Sequence, residues 1–244
     1  KKPPKEFPWA FIEKGPLRNF AERMLEKEKY NLLHVTHPMR TAPFVFEAQK
    51  TGIPYLITLT DYFTICYEIQ LLNLKKRLCQ GPEGGKTCLR DCPKSGVVNK
   101  EFLLKRNKRA HRILSQAQAV VSPSKFLKKM IHKTYPDISI RLIPLGSVSL
   151  PRQPHPRKKY LTFGYLGGFH SIKGIHILIQ AFRKIRNKNI RLEIHGNLLS
   201  REYLVELLGL AGEDRRIAFH GRYSSKEELA EILKRIDVLC FPSI

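Results

Sequence analysis

The sequence predicts an α/β protein with two parallel-sheet domains, and three observations lead to this fold class. Short apolar segments alternate with segments of helical periodicity along most of the chain. A proline-rich basic stretch, PRQPHPRKK at 151–159, interrupts this alternation, which then starts again. Glycines follow several of the apolar segments, as they do where strands end. We therefore predict one domain over 1–150, a linker over 151–159 and a second domain over 160–244.

The first predicted domain begins with a helix in GPLRNFAERMLEKE, where Pro16 suits the first helical position. The apolar residues of this helix recur at helical spacing: Leu17, Phe20, Met24 and Leu25. The elements predicted after it are a strand in YNLLHVTH, a helix at 41–50, a strand in IPYLITLT, an irregular segment at 61–96, a basic helix at about 99–116, a strand and helix in AVVSPSKFLKKMIHK with Ser124 as N-cap, and a strand in ISIRLIPLG.

The second predicted domain repeats the strand–helix alternation. Ser225 and Glu228 have the spacing of a capping box before its last helix. The predicted elements are strand 160–166, helix 173–186, strand 190–195, helix 201–209, strand 216–220, helix 225–235 and strand 237–241.

The composition limits the classes of protein that the chain can belong to. Of its 244 residues, 42% are hydrophobic, enough for a packed core without disulfides. An odd number of cysteines, five, does not favour a secreted disulfide scaffold. No segment approaches the ~20 apolar residues that span a bilayer, and no signal peptide is visible. We expect a cytoplasmic protein and, because the chain lacks an initial Met and ends on the apolar DVLCFPSI, a fragment.

The charge predicts anionic partners. Lysine and arginine number 44 against 21 acidic residues, a net charge of +23. Such a surplus suits nucleic acid, an acidic membrane surface or phosphorylated small molecules, although a solvated lysine-rich surface explains it equally well. We expect no nucleic-acid partner, because the sequence has no helix-turn-helix, zinc-finger or aromatic RNA-binding motif. The basic segment KEFLLKRNKRAHR suits peripheral contact with anionic lipid or a solvated helix face.

Four of the cysteines lie in the irregular segment 61–96. Four thiolates can hold zinc tetrahedrally, but the spacing is wide and a C-x-x-C pair is absent. We favour reduced thiols that pack the segment, with no metal, and keep zinc as the weaker alternative. The four residues are Cys66, Cys79, Cys88 and Cys92.

The stretch GYLGGFHSIKGIHILIQAF contains the pattern of an anion site. Gly167 and Gly168 follow a predicted strand, at the sheet edge where α/β proteins bind ligands. Glycine lets a ligand approach the backbone, and a helix N-terminus behind it carries partial positive charge. Lys173 adds a full charge, so the stretch suits a phosphate. It contains neither G-x-G-x-x-G nor a P-loop, and a plain turn with a surface lysine is the alternative.

Two neighbouring strand ends carry similar residues. RLEIHGN ends with Gly196 and Asn197, and IAFHGRY continues through Gly221 and Arg222. Because the carboxyl ends of parallel strands share one edge of a sheet, we expect these residues to line one crevice with the anion site.

These segments together resemble the retaining nucleotide-sugar glycosyltransferases of family 4. GYLGGFHSIKGIHILIQAF, LEIHGN and IAFHGRYSSKEELAEILKRIDVLCFPSI resemble its donor-binding domain, and NLLHVTHPMRTAPFVFEAQKTGIPYLITLTDYF, VVSPSKFLKKMI and RLIPLGSV its acceptor-side domain. The resemblance implies two Rossmann-like domains that face a cleft. It implies transfer of a sugar, with retention, from a UDP- or GDP-sugar to the hydroxyl of a glycan or lipid-linked acceptor. Because Lys173 and the helix terminus can supply positive charge to the departing diphosphate, we expect no metal cofactor to be required.

The resemblance also implies residue roles. Lys173 would contact the donor diphosphate and, with Asp61, act in catalysis, while Ser243 and the glycines at the strand ends would bind the donor. Two positions depart from the family pattern. Gly168 stands where many members have an arginine, and Thr60 where they have a histidine before the aspartate. A non-catalytic nucleotide-sugar-binding relative is therefore the first alternative, and a basic nucleic-acid-binding protein, which the net charge of +23 favours, is the weaker one.

The resemblance further implies that both domains are incomplete in this chain. The family's glycine-rich loop would precede residue 1, and its pair of glutamates would follow Ser243. We therefore expect this chain alone to be a weak or inactive transferase.

Overall fold

The computed structural model describes residues 16–75, 77–92, 98–146 and 159–244. The chain forms two compact units with the boundary after Gly146. Each unit contains a four-stranded parallel sheet, which confirms the predicted α/β class. The linker predicted at 151–159 lies outside the described residues except for Lys159. No helix in the described ranges has the length and apolarity to cross a membrane.

The first unit has the strand order β1-β2-β3-β4. Neighbouring strands are parallel, so helical and loop connections bring the chain back to the same edge each time. Its elements are α1 (Pro16–Lys27), β1 (Leu33–Val35), α2 (Pro38–Thr51), β2 (Tyr55–Thr58), α3 (Lys86–Asp91), α4 (Lys100–Ser115), β3 (Ala119–Ser122), α5 (Lys125–Thr134) and β4 (Ile140–Leu142).

Sequence signals mark several helix ends in this unit. Gly52 ends α2 in the left-handed conformation, with φ at 74°. The Ser124 hydroxyl accepts a hydrogen bond from the Leu127 N–H at 3.0 Å, as an N-cap does. Helix α1 forms as predicted but buries Ala21 and Leu25, whereas Leu17 and Phe20, which the periodicity placed on its apolar face, are exposed.

The segment predicted as irregular, 61–96, is more ordered than expected within its described residues. A 3-10 turn at Glu83–Gly85 leads into helix α3. Three of the segment's apolar side chains, Phe63, Ile65 and Leu71, are buried in the main core of the unit. The segment is thus part of the hydrophobic core. Its apolar residues follow neither the helical nor the strand periodicity, so the sequence pattern did not reveal this.

The second unit has the strand order β7-β6-β5-β8, again with parallel neighbours. One face of the sheet packs against α6 and α7 through apolar residues such as Tyr165, Ile179 and Ile194. Its elements are β5 (Leu161–Leu166), α6 (Ile175–Arg183), β6 (Ile190–His195), α7 (Arg201–Ala211), β7 (Ile217–His220), α8 (Lys226–Arg235) and β8 (Val238–Leu239).

The helix predicted at 173–186 starts later and ends earlier. Residues Ser171–Lys173 form a 3-10 turn, and Gly174 turns the chain at φ 66° before α6 begins. A Cβ on Gly174 would lie 2.0 Å from the Pro242 carbonyl oxygen, so the chain can pass here only without a side chain. Lys173 therefore precedes α6 and does not belong to its first turn.

Candidate functional site

The carboxyl edge of the second sheet gathers most of the residues predicted to bind a ligand. In parallel strands all carboxyl ends meet at one edge, which is where α/β proteins bind ligands. The predicted residues follow β5, β6, β7 and β8 in turn: Gly167 and Gly168; Gly196 and Asn197; Gly221 and Arg222; and Ser243.

The glycines after β5 and β6 are in close backbone contact. The Gly167 N–H donates to the His195 carbonyl at 3.0 Å, and the Gly196 N–H donates to the Gly221 carbonyl at 3.2 Å. A Cβ on Gly196 would lie 1.6 Å from the Gly167 carbonyl oxygen. The close contact alone explains why position 196 is a glycine, and no ligand is needed to account for it. Gly221 differs, because nothing lies within 4 Å of a Cβ built on it.

Gly168 offers a backbone donor at this edge. Its carbonyl oxygen accepts a hydrogen bond from the Tyr165 hydroxyl at 3.0 Å. Burial raises the pKa of Tyr165 to about 12, so the phenol stays protonated and donates. Within the described parts of the chain, the Gly168 N–H has no acceptor. That N–H can therefore bind an anion.

Lys173 lies on the 3-10 turn with its side chain in solvent. It forms no ion pair with any residue in the described ranges. His170 caps the turn, because its Nδ1 accepts a hydrogen bond from the Ile172 N–H at 3.3 Å. In the neutral ring the proton is then on Nε2, so exposed His170 can donate a second hydrogen bond to a ligand.

The N-terminus of α6 differs from the expected anion site. The His176 N–H donates to the Tyr203 hydroxyl at 3.3 Å, and the N–H groups of Ile177 and Leu178 donate to the Gly174 carbonyl. These donors are therefore occupied inside the protein. The prediction that the helix directs free N–H groups at a phosphate is wrong for these three donors, and Lys173 and Gly168 remain as donors to an anion.

The chain after β8 lies beside the turn that carries Lys173. The Ile244 N–H donates to the Ile172 carbonyl at 3.0 Å, which places exposed Ser243 next to this turn. The Asn197 carbonyl accepts from the Phe169 N–H at 2.9 Å, and its side chain is exposed. Backbone hydrogen bonds therefore hold these two predicted positions against the segment between β5 and α6.

Sequence analysis missed a cluster of titratable groups at the same edge. Glu193 and His195 on β6, with His220 on β7, place their ligand atoms within 4.8 Å of one another. Burial lowers the pKa of His195, with a smaller opposite effect from the Glu193 carboxylate. The sequence contains a signal, because LEIHGN and IAFHGR each include a His-Gly pair, but the two pairs are too far apart along the chain to form a local motif.

In the first unit the structure pairs Asp61 with an imidazole. His37 Nε2 lies 2.5 Å from Asp61 Oδ2, and Asp61 Oδ1 accepts from the Phe63 N–H at 2.8 Å. His37 follows β1 and caps α2, while Asp61 follows the neighbouring β2. His37 thus supplies an imidazole to Asp61 from the end of the adjacent strand.

The four cysteines of the segment 61–96 are free thiols. Within the described residues no three of them bring their sulfur atoms within 4.8 Å of one another, unlike the cluster in the second unit. Burial raises the pKa of Cys88 to about 12 and also raises the pKa of Cys66 and Cys92. Cys88, Cys92 and Tyr67 pack against Leu103 in a small core of their own.

Comparison with known proteins relates part of the chain to a known family and the chain as a whole to solved structures of similar fold. Residues 160–244 match the family model described as glycosyl transferases group 1. No curated protein sequence matches the chain. The family match thus covers the unit whose strand ends carry Gly167, Gly168 and Lys173.

Solved structures resemble the whole chain at low sequence identity. A glycosyltransferase from Rickettsia africae is 15% identical with a TM-score of 0.64, over 96% of this chain and 58% of that one. HepE of Anabaena, in complex with UDP and glucose, is 15% identical with a TM-score of 0.64, over 97% and 59%. The pneumococcal O-GlcNAc transferase GtfA, in complex with UDP and GlcNAc, is 11% identical with a TM-score of 0.59, over 93% and 40%. The chain therefore spans less than two thirds of the length of these structures.

Proposed function

We propose that the protein is a glycosyltransferase that takes a sugar from a nucleotide-diphosphate donor, bound at the carboxyl edge of the second sheet. The observation that carries this proposal is the match of residues 160–244 to the group 1 glycosyl transferases. The fold supports it, since structural neighbours with the same architecture are described in complex with UDP and sugars. The activity is a proposal for the whole protein.

In this proposal the second unit stabilises the leaving diphosphate. Lys173 is exposed and unpaired among the described residues, so its ammonium can approach a phosphate oxygen without breaking an ion pair. The Gly168 N–H and the Nε2–H of His170 add two donors from the same segment. Positive charge and fixed donors where negative charge develops lower the barrier to breaking the sugar–phosphate bond.

The acceptor side is assigned to the first unit, and Asp61 is its proposed catalytic residue. The hydrogen bond to His37 and the contact from the Phe63 N–H orient the carboxylate. A carboxylate held in this way can accept a hydrogen bond from the hydroxyl of an incoming acceptor.

Several finer features belong to the same proposal. Transfer proceeds with retention at the anomeric carbon, and the donor is a UDP- or GDP-sugar. The acceptor is a glycan or a lipid-linked hydroxyl, and the protein is cytoplasmic, with peripheral contact at the cytoplasmic face of an anionic membrane. The basic surfaces of α4 and α5 support the last point, since anionic lipid attracts clustered lysine and arginine.

The experiment is a transfer assay on the full-length protein. The protein is incubated with UDP- and GDP-sugars and candidate glycan acceptors, and release of nucleoside diphosphate is measured. The anomeric configuration of the product is read from its proton coupling by NMR. Acceptor-dependent release with retained configuration supports the proposal, whereas the absence of release with every donor contradicts it.

A further inference from the structure

We propose that Glu193, His195 and His220 form a binding site for a divalent transition-metal ion at the ends of β6 and β7. This inference is independent of the proposed transferase activity. It rests on the convergence of three ligand-type side chains from two paired strands, and none of the three belongs to the proposed donor-binding residues.

The strand register brings the three side chains together. His195 and His220 are direct partners in the parallel pairing of β6 and β7, and Glu193 lies two residues before His195. Because side chains alternate along a strand, all three lie on one face of the sheet, opposite the face packed against α6 and α7. His195 is only 3% exposed, while His220 is open to solvent. The cluster therefore has one fixed imidazole and one that can move.

The distances are close to those of a coordination sphere. Glu193 Oε2 lies 3.0 Å from His195 Nε2 and 4.0 Å from His220 Nε2. Bonds of about 2.1 Å separate neighbouring ligand atoms by about 3.4 Å in a tetrahedron. An ion would replace the proton that now lies between His195 and Glu193.

One rearrangement accompanies binding. The imidazole rings of His195 and His220 are stacked, with centroids 4.2 Å apart and planes at 7°. Parallel rings direct their lone pairs alongside one another, so one ring has to tilt before both nitrogens can coordinate the same ion. His220 is the ring that can tilt, because it is at the surface.

Arg235 competes with the ion for the carboxylate. Its Nε lies 3.6 Å from Glu193 Oε2, and a bound cation would repel the guanidinium.

Two imidazoles and one carboxylate suit ions such as Zn²⁺, Co²⁺ or Ni²⁺. The bound ion would join the ends of β6 and β7 directly before Gly196 and Gly221.

The test is a titration of the whole chain with Co²⁺, followed by visible absorption and by calorimetry. The cysteines are a second possible ligand set, but a cobalt–thiolate bond gives a near-ultraviolet charge-transfer band that imidazole and carboxylate do not. We expect one ion per chain, ligand-field bands without the thiolate band, and a higher melting temperature with Co²⁺ or Zn²⁺.

Matched variants identify the ligands. His220→Gln is expected to weaken Co²⁺ binding at least about tenfold, and Arg235→Gln to tighten it because a competing cation is removed. His111→Gln is the control, since His111 also lies beside a carboxylate, Asp137, at 2.6 Å. Any of three results would overturn the proposal: unchanged Co²⁺ binding in His220→Gln, a cobalt–thiolate band, or no saturable site in the parent chain.

Discussion

The Gly196 backbone lies against the Gly167 carbonyl oxygen, so closely that a Cβ on Gly196 would be 1.6 Å from that oxygen. The ends of β5 and β6 therefore approach each other closely at the edge where we place the donor, and the Gly167 N–H donates to the His195 carbonyl there. The same edge contains Gly221, and a Cβ on this glycine would meet nothing within 4 Å. Two His-Gly pairs that look equivalent in the sequence thus have different structural requirements.

Alanine substitution should distinguish these two glycines. Gly196→Ala is expected to destabilise the second unit by about 3 kcal/mol, because neither backbone can move without breaking hydrogen bonds between β5 and β6. Gly221→Ala should change stability by less than about 0.5 kcal/mol, because its Cβ points into open space. Chemical denaturation of both variants measures the difference, and equal stabilities would show that the close contact is not present in solution.

A second stability prediction concerns Arg106, which is 1% exposed on α4. Its guanidinium donates to the Phe63 carbonyl and, at 3.5 Å, to the Thr64 carbonyl, and it lies 5.0 Å from the centre of the Phe63 ring. Arg106→Ala should cost about 3–5 kcal/mol, because buried carbonyl groups lose their donor and a cavity remains.

The control for this prediction is Lys108→Ala on the same helix, which removes an exposed cation. Its effect on the denaturation midpoint should be within about 0.5 kcal/mol. A small loss in Arg106→Ala would mean that the segment after β2 is not held by α4 in the way the structure shows.

Cysteine reactivity provides a third prediction. Burial raises the pKa of Cys88 to about 12, and a raised pKa leaves less of the reactive thiolate at any pH below that value. Iodoacetamide at pH 8 should therefore leave Cys88 unlabelled in the folded protein and label it after unfolding in urea. The labelling of half-buried Cys79 in the same sample is the internal comparison. Mass spectrometry measures the extent of labelling at both cysteines. Rapid labelling of Cys88 in the folded chain would contradict the burial.

Most of the fold could be predicted from the sequence, because its signals are local. Ser124 and Gly52 mark helix ends by their own chemistry, and the alternation of strands and helices defines the class. The helix α6 was predicted to start too early, because a 3-10 turn and Gly174, whose backbone packs against the distant Pro242 carbonyl, precede it. Helix α3 was missed because it is short and its apolar contacts are with Leu103 on another helix.

The candidate site was predicted in part, for the same physical reason. The residues that follow strands were found, since the position of a strand end can be seen locally. Two features depend on which strands are neighbours: the pairing of His37 with Asp61 and the cluster around Glu193. The sequence around each of these residues does not contain that information. The occupation of the His176 N–H by Tyr203 likewise depends on helix packing.

A fourth prediction tests the proposed catalytic role of Asp61 on the acceptor side. In the full-length protein, Asp61→Asn should lower kcat about a hundredfold or more, because the neutral amide is a poorer acceptor of the hydroxyl proton. Asp137→Asn is the matched control, since Asp137 also pairs with a histidine in this unit but is not in the proposed site. Both variants should fold normally by circular dichroism. Equal loss of activity in the two would remove Asp61 from the mechanism.

The central claim is that Lys173 holds the donor diphosphate, and calorimetry on this chain tests it most directly. UDP, GDP and their nucleosides are titrated into the parent chain, into Lys173→Ala and into Lys184→Ala, which removes an exposed cation at the other end of α6. We predict that Lys173→Ala weakens binding of the preferred nucleoside diphosphate at least about tenfold. Its nucleoside should bind as before, and Lys184→Ala should have no effect on either ligand. If Lys173→Ala binds the nucleoside diphosphate as tightly as the parent chain does, or loses nucleoside and diphosphate equally, the claim is wrong.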